Sequence, residues 1–256
     1  MPFNVKYSTI KVREVGLDDD RVLIAERGIV HGKQLVVNSF DDFLGDVIAD
    51  QWAVDKGSDG SAANFAINAA VNGTVRATTG AGAGASMAAN GVQLHQALLW
   101  KANMGNLEME ARIKVSAITT IAFFVGFTDQ IGALEAPITS AASADTITTN
   151  ATDAVGFMFD TAMTTDNIWG VGVKADTDAT AANLGVAPVA DTWIRLKVEL
   201  DSSGNATFYV NGIKKGTASA AVTATVALTP VVTCFRRAAS SATIDVDYID
   251  INASRA

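Results

Sequence analysis

Asp191–Gly216 reads DTWIRLKVELDSSGNATFYVNGIKKG, and this stretch decides the fold. From Trp193 to Leu200 the residue character alternates with period 2. Ile194, Leu196, Val198 and Leu200 fall on one face, and Trp193, Arg195, Lys197 and Glu199 on the other. A strand sends successive side chains to opposite faces, so this alternation predicts a strand buried on one side. Asp201-Ser202-Ser203-Gly204-Asn205 provides the side-chain acceptors and backbone freedom of a reversal. Ala206 to Val210, with Phe208 and Tyr209, is the return strand, and Asn211-Gly212 turns the chain again.

Working outward, the same pattern recurs. In Asn106–Ser116, Leu107, Met109, Ala111, Ile113 and Val115 oppose Glu108, Glu110, Arg112 and Lys114. Ile121–Phe127 is apolar on both faces and predicts a central strand. Val155–Phe159, Ile168–Val173 and Val231–Phe235 read as further buried strands. Phe65–Ala70 and Gly73–Ala77 form a hairpin on Asn72-Gly73, and Phe40–Trp52 supplies an opening strand. Ile244–Ile251 slips phase: Ile244, Val246 and Tyr248 point inward, then Ile249 and Ile251, with a bulge at Asp247–Asp250. No amphipathic helix exceeds a turn or two. The expectation is an all-β chain, a two-sheet antiparallel sandwich. Glu108, Glu110, Arg112 and Lys114 are expected to complement Arg195, Lys197 and Glu199 across paired strands.

The 256 residues are 49% hydrophobic and 18% charged, enough apolar material for one large β-domain. Residues 1–35 are dense in both signs, whereas from Gly60 to Trp100 Arg76 is the sole charged residue. The shift divides the chain into residues 1–38, an arm or extra strands, and residues 39–256, the sandwich; an edge strand and loop of one domain fits the first segment equally. A net charge of −8 argues against nucleic acid, which needs clustered cations. The start has no secretory h-region, and no apolar run reaches the roughly 20 residues of a membrane helix. The product is expected to stay in the cytosol until lysis or assembly. The single cysteine, Cys234, lies in an apolar run and reads as a small buried hydrophobe.

The hairpin and the strands around it, from Phe40 to Ala253, resemble the concanavalin-A-like, laminin-G-like jelly roll. LEMEARIKV (Leu107–Val115), followed by an aromatic strand, is similar to the corresponding strand of laminarinase-type endo-glucanases. Those enzymes carry Glu-x-Asp-x-x-Glu on a later strand, since a retaining mechanism needs two carboxyl groups about 5 Å apart. That motif does not occur here, and Glu108 and Glu110 read as surface charge. His31 and His95 lie in no triad or metal spacing, and Thr79–Ser86 lacks the ending of a phosphate loop and reads as a flexible surface loop. The chain is therefore expected not to be an enzyme and to need no cofactor. Jelly-roll lectins often bind calcium through loop carboxylates; Asp176 and Asp178 have the most ligand-like spacing, although a solvated acidic turn fits them better. Trp193, then Trp169, are the candidates for packing on a sugar. Sequons at Asn72, Asn150, Asn205 and Asn252 read as turn chemistry.

The run VGFMFDTAMTTDNIWGVGVKADTDAT (Val155–Thr180), with the strands after it, resembles jelly-roll proteins encoded among tailed-bacteriophage head genes. This resemblance implies a virion structural protein, a capsid decoration or head-fibre subunit. Its partners would be the major capsid protein and copies of itself, and Pro2–Asn38 would be the attachment element. The alternative is a carbohydrate-binding module or adhesin that recognises a cell-surface glycan.

Overall fold

The computed structural model describes residues 36–255 apart from 60–62, 69, 82–84, 133, 141–144 and 180. In chain order the strands are β1 (Val36–Asp41), β2 (Ala53–Lys56), β3 (Asn64–Ile67), β4 (Val75–Thr78), β5 (Val92–His95), β6 (Leu107–Val115), β7 (Ile121–Thr128), β8 (Ile138–Ser140) and β9 (Ile147–Thr149). They continue as β10 (Ala154–Asp160), β11 (Trp169–Lys174), β12 (Thr177–Asp178), β13 (Ala182–Asn183), β14 (Trp193–Leu200), β15 (Ala206–Val210), β16 (Ile213–Ala218), β17 (Thr229–Arg236) and β18 (Thr243–Ser254). A single-turn helix α1 (Met87–Asn90) and a 3-10 turn at Ala102–Met104 complete the described elements.

Two eight-stranded antiparallel sheets pack face to face as a jelly-roll sandwich. The first runs β16-β15-β14-β6-β18-β4-β3, and β1 pairs with the far end of β18. The second runs β12-β11-β10-β7-β17-β5-β2, with β13 also on β11. The alternation on β6 and β14 is fully realised. Leu107, Met109, Ala111 and Ile113, beside Leu196 and Val198, meet Phe123, Val125 and Phe127 of β7 and Phe157 and Phe159 of β10. Phe208 reaches across to Phe157, edge to face at 5.5 Å. It fits because Gly170 has no side chain: a Cβ there would lie 2.5 Å from the Phe208 ring.

All eight residues of β7 are buried, as the apolar run on both faces predicts. Its outer face carries Phe124, which joins Met158, Trp169 and Val231 in a second apolar cluster beneath Ile138 of β8 and Ala151. The β8–β9 hairpin thus roofs this half of the second sheet. Asp160, 1% exposed at the end of β10, ties the roof down. Its Oδ2 accepts from Thr139 Oγ1 (2.8 Å) and Ser140 N (3.0 Å), its Oδ1 accepts from Arg237 Nε (2.8 Å), and Arg237 Nη2 also donates to it.

Several expectations need correction. Phe40–Trp52 is not one strand: β1 ends at Asp41, whose carboxylate accepts from Phe43 N (2.8 Å) and Trp52 Nε1 (2.9 Å) and turns the chain. The bulge in β18 lies between Val246 and Tyr248, and it sends Tyr248 outward while Ile249 and Ile251 return to the core. Asn72 and Gly73 adopt positive φ, 74° and 70°, but the strands are shorter than Phe65–Ala70 and Gly73–Ala77: β3 ends at Ile67, which pairs with Val75 of β4. Of the glycine-rich stretch, Thr79 and Gly80 are buried, and Thr79 Oγ1 accepts from Ala242 N. The boundary at residue 38 falls within β1, whose Val36–Asn38 pair with Asn252–Ser254. Residues 1–35, with His31 and most of the expected attachment element, lie outside the described residues.

Candidate functional site

The outer face of the first sheet is built by register. Phe40 of β1 pairs with Asp250 of β18, Asp250 with Glu110 of β6, Glu110 with Lys197 of β14, and Lys197 with Tyr209 of β15. Two residues along, a second transverse row runs Asn38, Asn252, Glu108, Glu199, Thr207. Side chains two apart on a strand share a face, so both rows project away from the core.

Charge pairing across β6 and β14 differs from the expectation. Lys197 faces Glu110, but Arg195 faces Arg112 and Glu199 faces Glu108. The like-charged pairs are relieved diagonally and from the third strand. Lys197 Nζ sits 3.5 Å from Glu108 Oε2 and also binds Glu199. Arg112 Nη1 pairs with Asp247 at 2.5 Å, and Asp245 takes both Arg76 (2.6 Å) and Lys114 (3.2 Å). Burial works to raise the Asp245 carboxyl, but hydrogen bonds from Arg76 and Lys114 outweigh it and hold the group below the usual carboxylate range. For Lys197, burial opposes the charge, yet Glu199 and Glu108 keep the ammonium above its ordinary range.

Aromatic rings sit among these charges. Tyr209 donates from its hydroxyl to Glu199 Oε2 at 2.8 Å, and Lys197 lies over its ring. Tyr248 donates to Glu110 Oε1 at 2.5 Å, and burial, then that bond, pushes its phenol up. Phe40 is 54% exposed, with its ring 6.2 Å from that of Tyr248. Two hollows adjoin the rows. One, about 330 Å³, is lined by Asn106, Glu108, Glu199, Asp201, Asn205 and Thr207. The other, about 630 Å³, lies beside β1 and is lined by Asn38, Phe40, Gln51, Gln96 and Leu99 among others.

The sequence candidates scatter. Trp193 is half-buried on the outer face, with Arg112 and Lys114 4.7 and 4.9 Å from its ring centre. Trp169 is not available to a sugar: it is buried under the roof, because the outer face of the second sheet is itself a core. Asp176 and Asp178 are exposed around the β11–β12 turn, and among the described residues no three His, Cys, Asp or Glu side chains converge on a metal position. Nearby, Asp153 is buried and accepts from Thr223 N at 2.5 Å. Burial, with the Asp153 charge adding to it, pushes the Asp129 carboxyl up. His95 is hydrogen-bonded at both ring nitrogens, Nε2 to Asp55 (3.0 Å) and Nδ1 to the Gln96 carbonyl (2.7 Å). Cys234 is wholly buried and its thiol is pushed up, which suits the packing role. Asn72 and Asn205 serve turns, whereas Asn252 stands in β18.

Tyr209, Glu199, Thr207 and Tyr248 are the functional-face residues that sequence reading did not single out. Period 2 already put Glu199 and Glu108 on outer faces. Only the cross-strand register brings them to one hollow.

Neither a protein-family model nor a curated relative matches the sequence. Solved structures do match in fold. A Bacillus licheniformis beta-glucanase is 12% identical with TM-score 0.54, covering 84% of this chain and 97% of its own. An endo-acting O-glycanase of the human gut microbiota is 10% identical at TM-score 0.58, covering 85% and 99%. A family 16 glycosyl hydrolase from Mycobacterium smegmatis is 11% identical at TM-score 0.51, covering 83% and 98%. These likenesses establish the jelly roll. They also overturn the expectation that the chain is not an enzyme, since glycoside hydrolases share this architecture over nearly their whole length. The chain has the concanavalin-A-like fold on which those glycan-degrading proteins are built.

Proposed function

We propose that the chain recognises a carbohydrate on the outer face of its first sheet. The observation that carries this reading is the hollow between β6, β14 and β15, where Glu108, Glu199, Asp201, Asn106, Asn205 and Thr207 converge beside Tyr209. Sugar hydroxyls both donate and accept. Carboxylates accept from them, while carboxamides and a threonine hydroxyl can do either. An aromatic ring with a fixed polar tip supplies the apolar surface that the C–H face of a sugar requires. The glycan-acting neighbours support a carbohydrate ligand. The capsid-decoration reading rests on the resemblance of Val155–Thr180 and the strands after it, and gives way to this one.

The test is calorimetric titration of the protein with β-glucan oligosaccharides and mucin O-glycans, with release of reducing ends followed in the same samples. Tyr209→Ala and Glu199→Gln are expected to weaken binding at least tenfold while the far-ultraviolet spectrum is unchanged. Release of reducing ends that is lost in Glu199→Gln would extend recognition to catalysis at this face. Binding untouched by both substitutions, or no binding across the panel, would overturn the reading.

A further inference from the structure

Resting on the carbohydrate reading, we infer that the ligand is a linear glycan chain laid across the strands, engaged along its length rather than by a terminal sugar. The row Asn38, Asn252, Glu108, Glu199, Thr207 opens into a hollow at each end: Glu108, Glu199 and Thr207 line the one between β6 and β15, and Asn38 lines the one beside β1. The adjoining row carries an aromatic ring at each end, Tyr209 and Phe40, with Asp250, Glu110 and Lys197 between them. From β1 through β18, β6 and β14 to β15 is four inter-strand steps, about 19 Å at ordinary strand spacing. A mono- or disaccharide cannot touch both rings at once. A chain of several units can, and its middle would lie on polar groups that hydrogen-bond hydroxyls without closing over them.

The hollow beside β1 suits a sugar unit. It combines the exposed Phe40 ring and Leu99 with the side-chain amide of Gln51, beside an Asn38 amide that donates to Asp250 and Asn252 and a buried Gln96. Gln96 is held in place: its Nε2 donates to Ser39 Oγ at 2.9 Å, and its Oε1 accepts from Trp100 Nε1 at 3.3 Å. Two sub-sites on one rigid sheet act as linked binders, so filling the second costs little further loss of freedom.

The experiment is a ladder of β-glucan oligosaccharides, from disaccharide to hexasaccharide, titrated into the wild type, Phe40→Ala and Tyr209→Ala. Affinity is expected to rise at least tenfold along the ladder and then level off. Phe40→Ala should cost about tenfold for the longest oligomer and nothing for the disaccharide, whereas Tyr209→Ala should weaken both. Gln51→Ala, a second and milder change in the same hollow, should follow Phe40→Ala. A disaccharide that binds as tightly as the hexasaccharide would overturn this inference and leave the carbohydrate reading intact. So would a length dependence indifferent to Phe40→Ala and Gln51→Ala. Absence of binding by any oligosaccharide would remove both.

Discussion

The two sheets of the sandwich share an interior and differ on their outer faces. On β6 of the first sheet the outward residues are Glu108, Glu110, Arg112 and Lys114, all half-buried; Glu108, Arg112 and Lys114 are ion-paired, and Glu110 accepts from the Tyr248 hydroxyl. On β7 of the second they are Ala122, Phe124, Gly126 and Thr128, all buried. The backbone is the same extended chain in both; only the second period-2 set of side chains differs. An apolar second set cannot face water at the cost of about 25 cal/mol per Å², so the chain lays β8 and β9 over it. A charged second set needs no cover and leaves a surface open to a ligand. Stability should therefore sit on the second sheet and recognition on the first.

The largest effect should come from Phe124→Ala. It opens a cavity under the roof and should cost about 3–5 kcal/mol in urea unfolding. Tyr209→Ala, on the open face, should stay within about 1 kcal/mol. Equal losses would break the contrast between the faces.

Next is Asp160→Asn. The buried carboxylate holds Thr139, Ser140 and Arg237 together, and an amide cannot accept from all of them. Removing one partner of a fully buried pair costs about 3–5 kcal/mol, and the solvent access of Arg237 reduces this to about 2–4. Proteolysis between β8 and β9 should quicken in the variant, since the roof loses its tie. A loss below about 1 kcal/mol would show that the apolar cluster alone holds the roof.

Asp245 sharpens the comparison through pH. Its folded carboxyl lies below the unfolded value, so its contribution is present above that value, about 3.9, and is lost as pH falls through the depressed folded one. Acid unfolding followed by tryptophan fluorescence should show a shallower fall in stability below pH ~4 in Asp245→Asn than in the wild type. An identical acid slope would mean that Arg76 and Lys114 do not stabilise the ionised form.

The sheet strands with clean alternation were legible: β6, β14 and β15 follow from period 2 alone, and β7 from its unbroken apolar run. β5 was not, because Val92–His95 is only four residues with Gln93 and His95 among them, yet all four are buried between β2 and β17. The roof was equally hidden. Nothing local in Ile138–Ser140 says that it packs on Phe124 and Met158. Trp169 misled for the same reason, since its burial is imposed by residues outside its own strand. The site was half legible. Period 2 sets which residues of β6 and β14 face outward, but the bulge turns Tyr248 out against that pattern, and the pairing of Glu108 with Glu199 and of Phe40 with Asp250 depends on register, which long-range contacts decide.

The smallest effect should come from Lys197→Met, and its smallness is informative. Lys197 binds Glu199 and lies near Glu108 and the Tyr209 ring, so a count of contacts would make it a keystone. Its side chain is 27% exposed, however, and its partners are 21% and 36% exposed. Exposed ion pairs contribute about 0–1 kcal/mol, because each charge gives up hydration and side-chain freedom to pair. Methionine keeps the apolar stem over Tyr209 while deleting the charge, so packing is largely preserved. The variant should lose less than about 1 kcal/mol in urea, and the difference should shrink further between low salt and 1 M salt as screening shortens to about 3 Å. It also leaves Glu108 and Glu199 facing each other without their shared cation, so saccharide affinity should change severalfold although stability barely moves. A stability loss comparable to that of Asp160→Asn would place a stabilising network on the first sheet, and the division of labour between the two outer faces would fail.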